Sequence, residues 1–211
     1  MYRKVPDFKL PDCLMDQLYS LKPMHVWKTL AWRTNFGPTM FLYGSYLNNC
    51  VFDFLKTYGL ALQHIGTIIS AELPNELESA IREEIKQQLH PLIANETIIR
   101  LQVVYGGQVI PVHIDKTRNS SFIYPISHPH VSSTEFYDYT GPDLKGVIPP
   151  RWCKLTQQVS IDNTPTLIDT SIPHAIRWGK GTYTKKDPRL SLTIKFEQLE
   201  FESIVNMIKC Y

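Results

Sequence analysis

Residues 189–196, Arg-Leu-Ser-Leu-Thr-Ile-Lys-Phe, alternate without a break between polar and apolar side chains. Side chains two apart along a strand share a face. Leu190, Leu192, Ile194 and Phe196 therefore form one row and Arg189, Ser191, Thr193 and Lys195 the other. The apolar row needs a helix or a second layer to cover it. The plainest reading of the polar row is a solvated face.

Short alternating strands separated by Gly, Pro, Asn and Asp run from about residue 97 to 200, the pattern of a sandwich or jelly roll. Gly106-Gly107 between residues 101–105 and 109–115 fits a hairpin. Residues 140–146 and 179–183 read as loops near a site. Before residue 96, helical patterns predominate. In residues 74–89, Leu77, Ala80, Ile81, Ile85 and Leu89 make one apolar stripe suited to packing on a sheet. Asn75 and Glu78 have capping-box spacing, and Pro91 closes the segment. Residues 47–56 suggest a second helix. No repeat, low-complexity tract or linker appears, so one domain is expected over residues 1–211. It comprises a helix-rich supporting region (1–96), a jelly-roll core (97–200) and a C-terminal helix or tail (201–211).

The chemistry concentrates in the second half. His113 and Asp115 are two apart in the apolar, β-branched run 109–115, so both project from one strand face as a pincer. His174 follows the strand-like run 166–169, with Pro173 directly before it, and must fold back from another strand. Two imidazoles and one carboxylate are the set that non-heme Fe(II) oxygenases use on one face of an octahedron, leaving positions open opposite. A guanidinium grips a carboxylate with two parallel hydrogen bonds, and a serine two residues on adds a third. Arg189 and Ser191 could thus hold an anionic co-substrate. Each residue alone has a plainer reading, a satisfied polar pair or a surface charge; the ordered combination carries the weight.

That order, His-x-Asp, a distal His, then Arg-x-Ser, resembles the Fe(II)/2-oxoglutarate-dependent oxygenase superfamily. Residues 113–126 (His-Ile-Asp-Lys-Thr-Arg-Asn-Ser-Ser-Phe-Ile-Tyr-Pro-Ile) are similar to its small bacterial and phage members and to its aspartyl/asparaginyl hydroxylase-like branch. Residues 133–137 and 167–174 resemble later strands of the group, and the likeness covers about residues 98–200. It implies a double-stranded β-helix (jelly roll, cupin-like) preceded by a helical N-terminal region. It implies Fe(II) on His113, Asp115 and His174. 2-Oxoglutarate would chelate the iron, its far carboxylate on Arg189 and Ser191, with O2 as second co-substrate and ascorbate in support. The implied reaction is hydroxylation of an unactivated C–H bond with release of succinate and CO2. Asp115 stands where halogenating relatives leave room for chloride, which favours hydroxylation or a related oxidation.

Other polar residues have two readings each. Tyr105, Tyr124 and Tyr137 lie on strands expected to line the cavity and could donate to 2-oxoglutarate, or could be core. Arg118 could meet a substrate carboxylate, support the metal ligands or be a surface charge. Asp169 could accept from a ligand histidine, and Trp178 reads as packing. His128 and His130 invite a second metal reading, against which the proline between them argues for a loop.

A net charge of +2, from 22 basic and 20 acidic residues, leaves no electrostatic footprint for nucleic acid. A small molecule (an amino acid, another metabolite or a nucleobase) or a peptide is the expected substrate, the near-neutral charge disfavouring nucleic acid only weakly. No apolar run has membrane-spanning length, and the N-terminus lacks the apolar core of a signal peptide. Cys13, Cys50, Cys153 and Cys210 are scattered, with no Cys-x-x-Cys, and read as reduced thiols in a cytoplasm that also keeps iron ferrous. Two alternatives come from other classes: a cupin-like metalloprotein without 2-oxoglutarate, and a non-catalytic binding protein on the same fold.

Overall fold

The computed structural model describes residues 1–21, 32–36, 56–57, 67–105, 109–115, 118–127, 132–143, 146–178 and 189–209. In chain order the elements are β1 (Tyr2–Lys4), α1 (Asp12–Ser20), β2 (Trp32–Phe36), β3 (Thr67–Ala71), α2 (Asn75–Gln88) and α3 (Pro91–Asn95). There follow β4 (Thr97–Tyr105), β5 (Val109–Ile114), β6 (Ser120–Pro125), β7 (Ser132–Tyr139), β8 (Gly146–Val147) and β9 (Cys153–Ile161). Then come β10 (Thr166–Asp169), β11 (His174–Trp178), β12 (Arg189–Phe196) and α4 (Phe201–Lys209).

Among the described residues the strands form two antiparallel sheets. The large one runs β1-β10-β6-β12-β4-β3-β2 and the small one β8-β5-β11-β7-β9. From β4 onward the chain passes back and forth between them: β4, β6, β10 and β12 are in the large sheet, β5, β7 and β11 in the small. This is the winding of a double-stranded β-helix, the expected architecture.

One expected pairing fails. Residues 101–105 and 109–115 do not form a hairpin, because β4 pairs with β12 and β3 while β5 pairs with β11 and β8. Both edges of β4 are already taken, so β5 crosses to the other sheet. The N-terminal region also supplies more than helices: β1 extends the large sheet beyond β10, and β3 and β2 extend it beyond β4. Of the helix expected over 47–56, only Lys56 is among the described residues.

The helix expected over 74–89 is α2, but its start differs. Pro74 occupies the cap without a side-chain bond, and Glu78 pairs with Arg82 at 2.8 Å rather than reaching back to the cap. Proline pre-sets the backbone for a helix start. Its carbonyl accepts from Glu78 N at 2.9 Å. Pro91 opens α3 instead of merely ending α2, with His90 Nδ1 accepting from Leu92 N at 3.2 Å.

The main core lies outside the sandwich. Leu190, Leu192, Ile194 and Phe196 join Ile99, Leu101, Val103, Phe122 and Leu167 on the outer face of the large sheet. Leu14 and Leu18 of α1, Leu77, Ile81 and Ile85 of α2, Ile93 of α3, and Ile204 and Val205 of α4 cover them. A smaller core of Ile123, Phe136, Val159 and Ile168 sits elsewhere in the molecule, with Tyr2 stacked on Phe136 at 6.5 Å. Among the described residues, no helix is long and apolar enough to cross a membrane.

Ile81 is fully buried between helix and sheet. Ile81→Ala should destabilise the protein by about 2–5 kcal/mol through lost burial and the cavity left behind. The exposed Glu76→Ala should be near neutral. Urea unfolding midpoints at unchanged slope check both.

Candidate metal centre

The small sheet brings the two distant histidines together. β5 and β11 are antiparallel neighbours, and His113 stands directly opposite His174, their ring centroids 4.2 Å apart. Phe136 flanks His174 on β7 and Val147 flanks His113 on β8. Past this pair the register slips: β11 advances from His174 to Ile176 while β5 steps from His113 to Ile110. The extra residue on β5 is a β-bulge at Pro111-Val112, one of the few places a sheet tolerates proline.

The bulge serves the site directly. His113 Nδ1 lies 2.8 Å from the Pro111 carbonyl, and His174 Nδ1 lies 2.9 Å from the Ile172 carbonyl. A carbonyl can only accept, so each Nδ1 carries the proton and each Nε2 presents a lone pair. Asp115 follows the end of β5, its amide donating to the Thr170 carbonyl at 3.1 Å. Its Oδ1 lies 3.9 Å from His113 Nε2. Ligand atoms of His113, Asp115 and His174 all fall within 4.8 Å of one another, a group that could hold a metal ion.

Electrostatics suit a cation. His113 and His174 are 3% and 2% exposed. Burial and the neighbouring His174 push the His113 pKa down to about 3. Burial likewise lowers that of His174, against an opposing pull from Asp115. Burial alone would raise the Asp115 pKa; the Arg118 guanidinium and the two imidazoles overcome it and hold the carboxyl well below the usual range. Two neutral imidazoles and one carboxylate therefore face each other at neutral pH.

Arg118 supports the ligand set. Its Nε donates to Asp115 Oδ2 and its Nη1 reaches Ser121 Oγ at 3.4 Å. Thr170, which the sequence did not single out, ties this corner down. Its Oγ1 donates to the Arg118 carbonyl at 3.2 Å and its amide to the Asn119 carbonyl at 3.0 Å. Nothing in its local pattern marks it; only the pairing of chain ends reveals it.

The polar row of β12 is not solvated. Because its apolar row faces the helices, Arg189, Ser191, Thr193 and Lys195 lie on the face of the large sheet turned away from them, and Arg189 is only 4% exposed. Gln102, also buried, stands beside Ser191 on β4. The hydroxyls of Ser191 and Thr193 are buried with no hydrogen-bond partner among the described residues. Lys195 lies at the end of the row electrostatically coupled to Arg118 and Asp115, and burial is the main cause lowering its pKa to about 8. Arg189 opens the strand at the opposite end.

The tyrosines need correction. Tyr124 turns to the helix-covered face, where its hydroxyl accepts from Leu10 N at 3.2 Å and its ring meets Phe8 edge-on. Its neighbours in the strand, Ser121 and Ile123, face the other way, so Tyr124 is set apart from the Arg189 row. Tyr137 also leaves the site: its hydroxyl donates to Glu135 Oε2 at 2.5 Å, which Arg177 Nε meets at 2.8 Å. These residues alternate with Phe136 and lie on the reverse face of the small sheet. Asp169 accepts from Ser171 and not from a histidine, the role expected of it being filled by the Pro111 and Ile172 carbonyls. The side chains of Tyr105 and Trp178, and His128 and His130 entirely, lie outside the described residues.

No protein-family model and no curated protein matches the sequence. Solved structures do show likeness. The non-heme alpha-ketoglutarate-dependent epimerase SnoN from nogalamycin biosynthesis is 10% identical, with a TM-score of 0.44 over 93% of this chain and 78% of that one. The Escherichia coli ribosomal oxygenase YcfD, solved with cobalt and 2-oxoglutarate, is 12% identical with a TM-score of 0.44. It is matched over 98% of this chain, which spans about half (50%) of that protein. A Pseudomonas putida prolyl-4-hydroxylase is 13% identical with a TM-score of 0.32, over 88% of this chain and 99% of that one.

The buried histidines give acid sensitivity a sign. An unfolded His113 takes up its proton near the ordinary value of 6.5, the folded one only near 3. As pH falls, the unfolded chain binds protons first, so the metal-free fold loses stability from about pH 6.5 toward 3. The lowered pKa of Asp115 adds in the same direction below the usual carboxylate range. The melting temperature of metal-free protein should fall steadily across that window, and His113→Leu should flatten the fall. A profile identical in both proteins would exclude His113 as the source.

Proposed function

We propose that this protein is an Fe(II)- and 2-oxoglutarate-dependent dioxygenase that hydroxylates an unactivated C–H bond of a small molecule or peptide, releasing succinate and CO2. The observation that carries the reading is the meeting of ligand atoms from two imidazoles and one carboxylate within 4.8 Å, each imidazole Nδ1 already committed to a backbone carbonyl. When bound, iron and the keto acid supply the oxidising chemistry, turning O2 into a hydrogen-abstracting oxidant at the cost of one decarboxylation.

The chain's own residues have definite tasks in this reading. His113, Asp115 and His174 would hold the ion, a set of three protein groups that leaves room for co-substrates. Arg189 and Ser191 anchor the far carboxylate of the keto acid at the other end of the polar row. The buried hydroxyl of Ser191, without a hydrogen-bond partner among the described residues, speaks for a ligand there and against a metalloprotein that needs no keto acid. Phe136 beside His174 and the stacked Tyr2 keep that flank dry, which strengthens each electrostatic contact. Cys13 and Cys153 are free thiols, in keeping with a reducing cytoplasm that would also keep iron ferrous.

Two measurements test this. Wild type should bind one divalent ion per chain by calorimetry, and His113→Ala or His174→Ala should abolish stoichiometric binding. Iron-loaded wild type with ascorbate and 2-oxoglutarate should release succinate slowly without any substrate; failure to do so refutes the keto-acid reading.

Arg189→Ala should weaken 2-oxoglutarate binding by about 2–5 kcal/mol, the usual cost of truncating one partner of a buried charge pair, while metal affinity holds. Arg189→Lys should restore only part, since an ammonium lacks the two-pronged fork. Lys195→Gln is the comparator. If it weakens keto-acid binding and Arg189→Ala does not, the anchor is Lys195.

A further inference from the structure

We infer that Arg118 is a positioning residue that confines Asp115 to one-oxygen ligation and so keeps a position on the metal open; this rests on the reading of His113, Asp115 and His174 as a metal centre. A carboxylate can bind an ion through one oxygen or through both. Here the two oxygens are already distinguished. Oδ1 is the one near His113 Nε2 at 3.9 Å, whereas Oδ2 accepts the Arg118 Nε–H.

The guanidinium is held between Asp115 and Ser121, and the backbone that carries it is tied to Thr170. Arg118 Nη1 reaches Ser121 Oγ on β6 at 3.4 Å, its own carbonyl accepts from Thr170 Oγ1 at 3.2 Å, and the next carbonyl accepts from Thr170 N at 3.0 Å. The same Thr170 accepts the Asp115 amide, so ligand and positioning residue hang from one buried point. Side chains of Arg118 and Asp115 are 15% and 14% exposed, which shields their contact from water.

The consequence is arithmetic of coordination. In an octahedral ion, three protein atoms leave three positions. A keto acid chelating through two oxygens leaves one for a diatomic ligand. If Asp115 bound through both oxygens, that last position would be gone. Arg118 would thus decide whether O2 can reach the metal once the keto acid is seated, without itself touching substrate or metal.

The test uses nitric oxide as the diatomic probe on anaerobic Fe(II)-loaded protein with 2-oxoglutarate, read by the spin-3/2 iron–nitrosyl signal. Wild type should give the full signal. Arg118→Ala should keep its metal but lose most of the signal, or give it only as 2-oxoglutarate is displaced, with 2-oxoglutarate bound more weakly because the second carboxylate oxygen competes for its position. Arg118→Lys, which retains a charged donor, should recover part of both. An unchanged signal and unchanged 2-oxoglutarate affinity in Arg118→Ala would overturn the inference and leave the metal centre standing. So would loss of the metal itself from that variant with its melting temperature kept, because Arg118 would then be setting affinity and not denticity. Should Arg118→Ala not fold, the same readings on Arg118→Lys and Ser121→Ala decide: signals indistinguishable from wild type in both overturn it. Wild type that binds no metal would overturn the metal centre and this inference together.

Discussion

The covering of the outer face of the large sheet by helices is the constraint from which the rest follows. Leu190, Leu192, Ile194 and Phe196 must be buried, and α1, α2, α3 and α4 bury them from outside. A strand has only two faces. Once its apolar row is turned to the helices, the other row of β12 must be the one turned away from them, and that row is Arg189, Ser191, Thr193 and Lys195. The structure can house this polarity because most of its hydrophobic stabilisation, about 1.5–3 kcal/mol for each fully buried Leu, Ile or Phe, is gained in the helix-covered layer.

The two histidines of the candidate centre are aimed by backbone carbonyls, and Asp115 by the Arg118 side chain. Each histidine hands its Nδ1 proton to the carbonyl two residues before it, which sets tautomer and ring direction at once. The bulge at Pro111 belongs to this device, since the carbonyl that orients His113 is that of the proline. Thr170 then ties the segment carrying Asp115 and Arg118 to the segment leading into His174. Two segments 52 residues apart in sequence share one short hydrogen-bonded junction, most of it backbone.

The same burial that lowers both histidine pKa values prepares them as neutral donors. It also makes the metal-free site acid-sensitive, because protonating a buried imidazole sets a charge where water is excluded. Arg118 and Lys195 add positive charge close to that carboxylate. The centre is thus organised to keep Asp115 ionised and its two oxygens unequal.

The periodicities in the sequence were enough to determine the strands that matter. Alternation placed β12, and the two-residue spacing of His113 and Asp115 placed a pincer at the end of β5. The apolar stripe of residues 74–89 called for a sheet to pack on, and α2 lies on one. Those readings are local, and local spacing decides them. Which face of a strand looks inward is not local. The polar row of β12 has the pattern of a solvated face, and Tyr124 and Tyr137 have the pattern of cavity residues; only the position of the helices reverses the first and removes the others. Pairing is not local either. The crossing of β5 to the small sheet, the edge strands β1, β2 and β3, and the choice of Thr170 as the junction all depend on which distant segments the tertiary packing brings side by side.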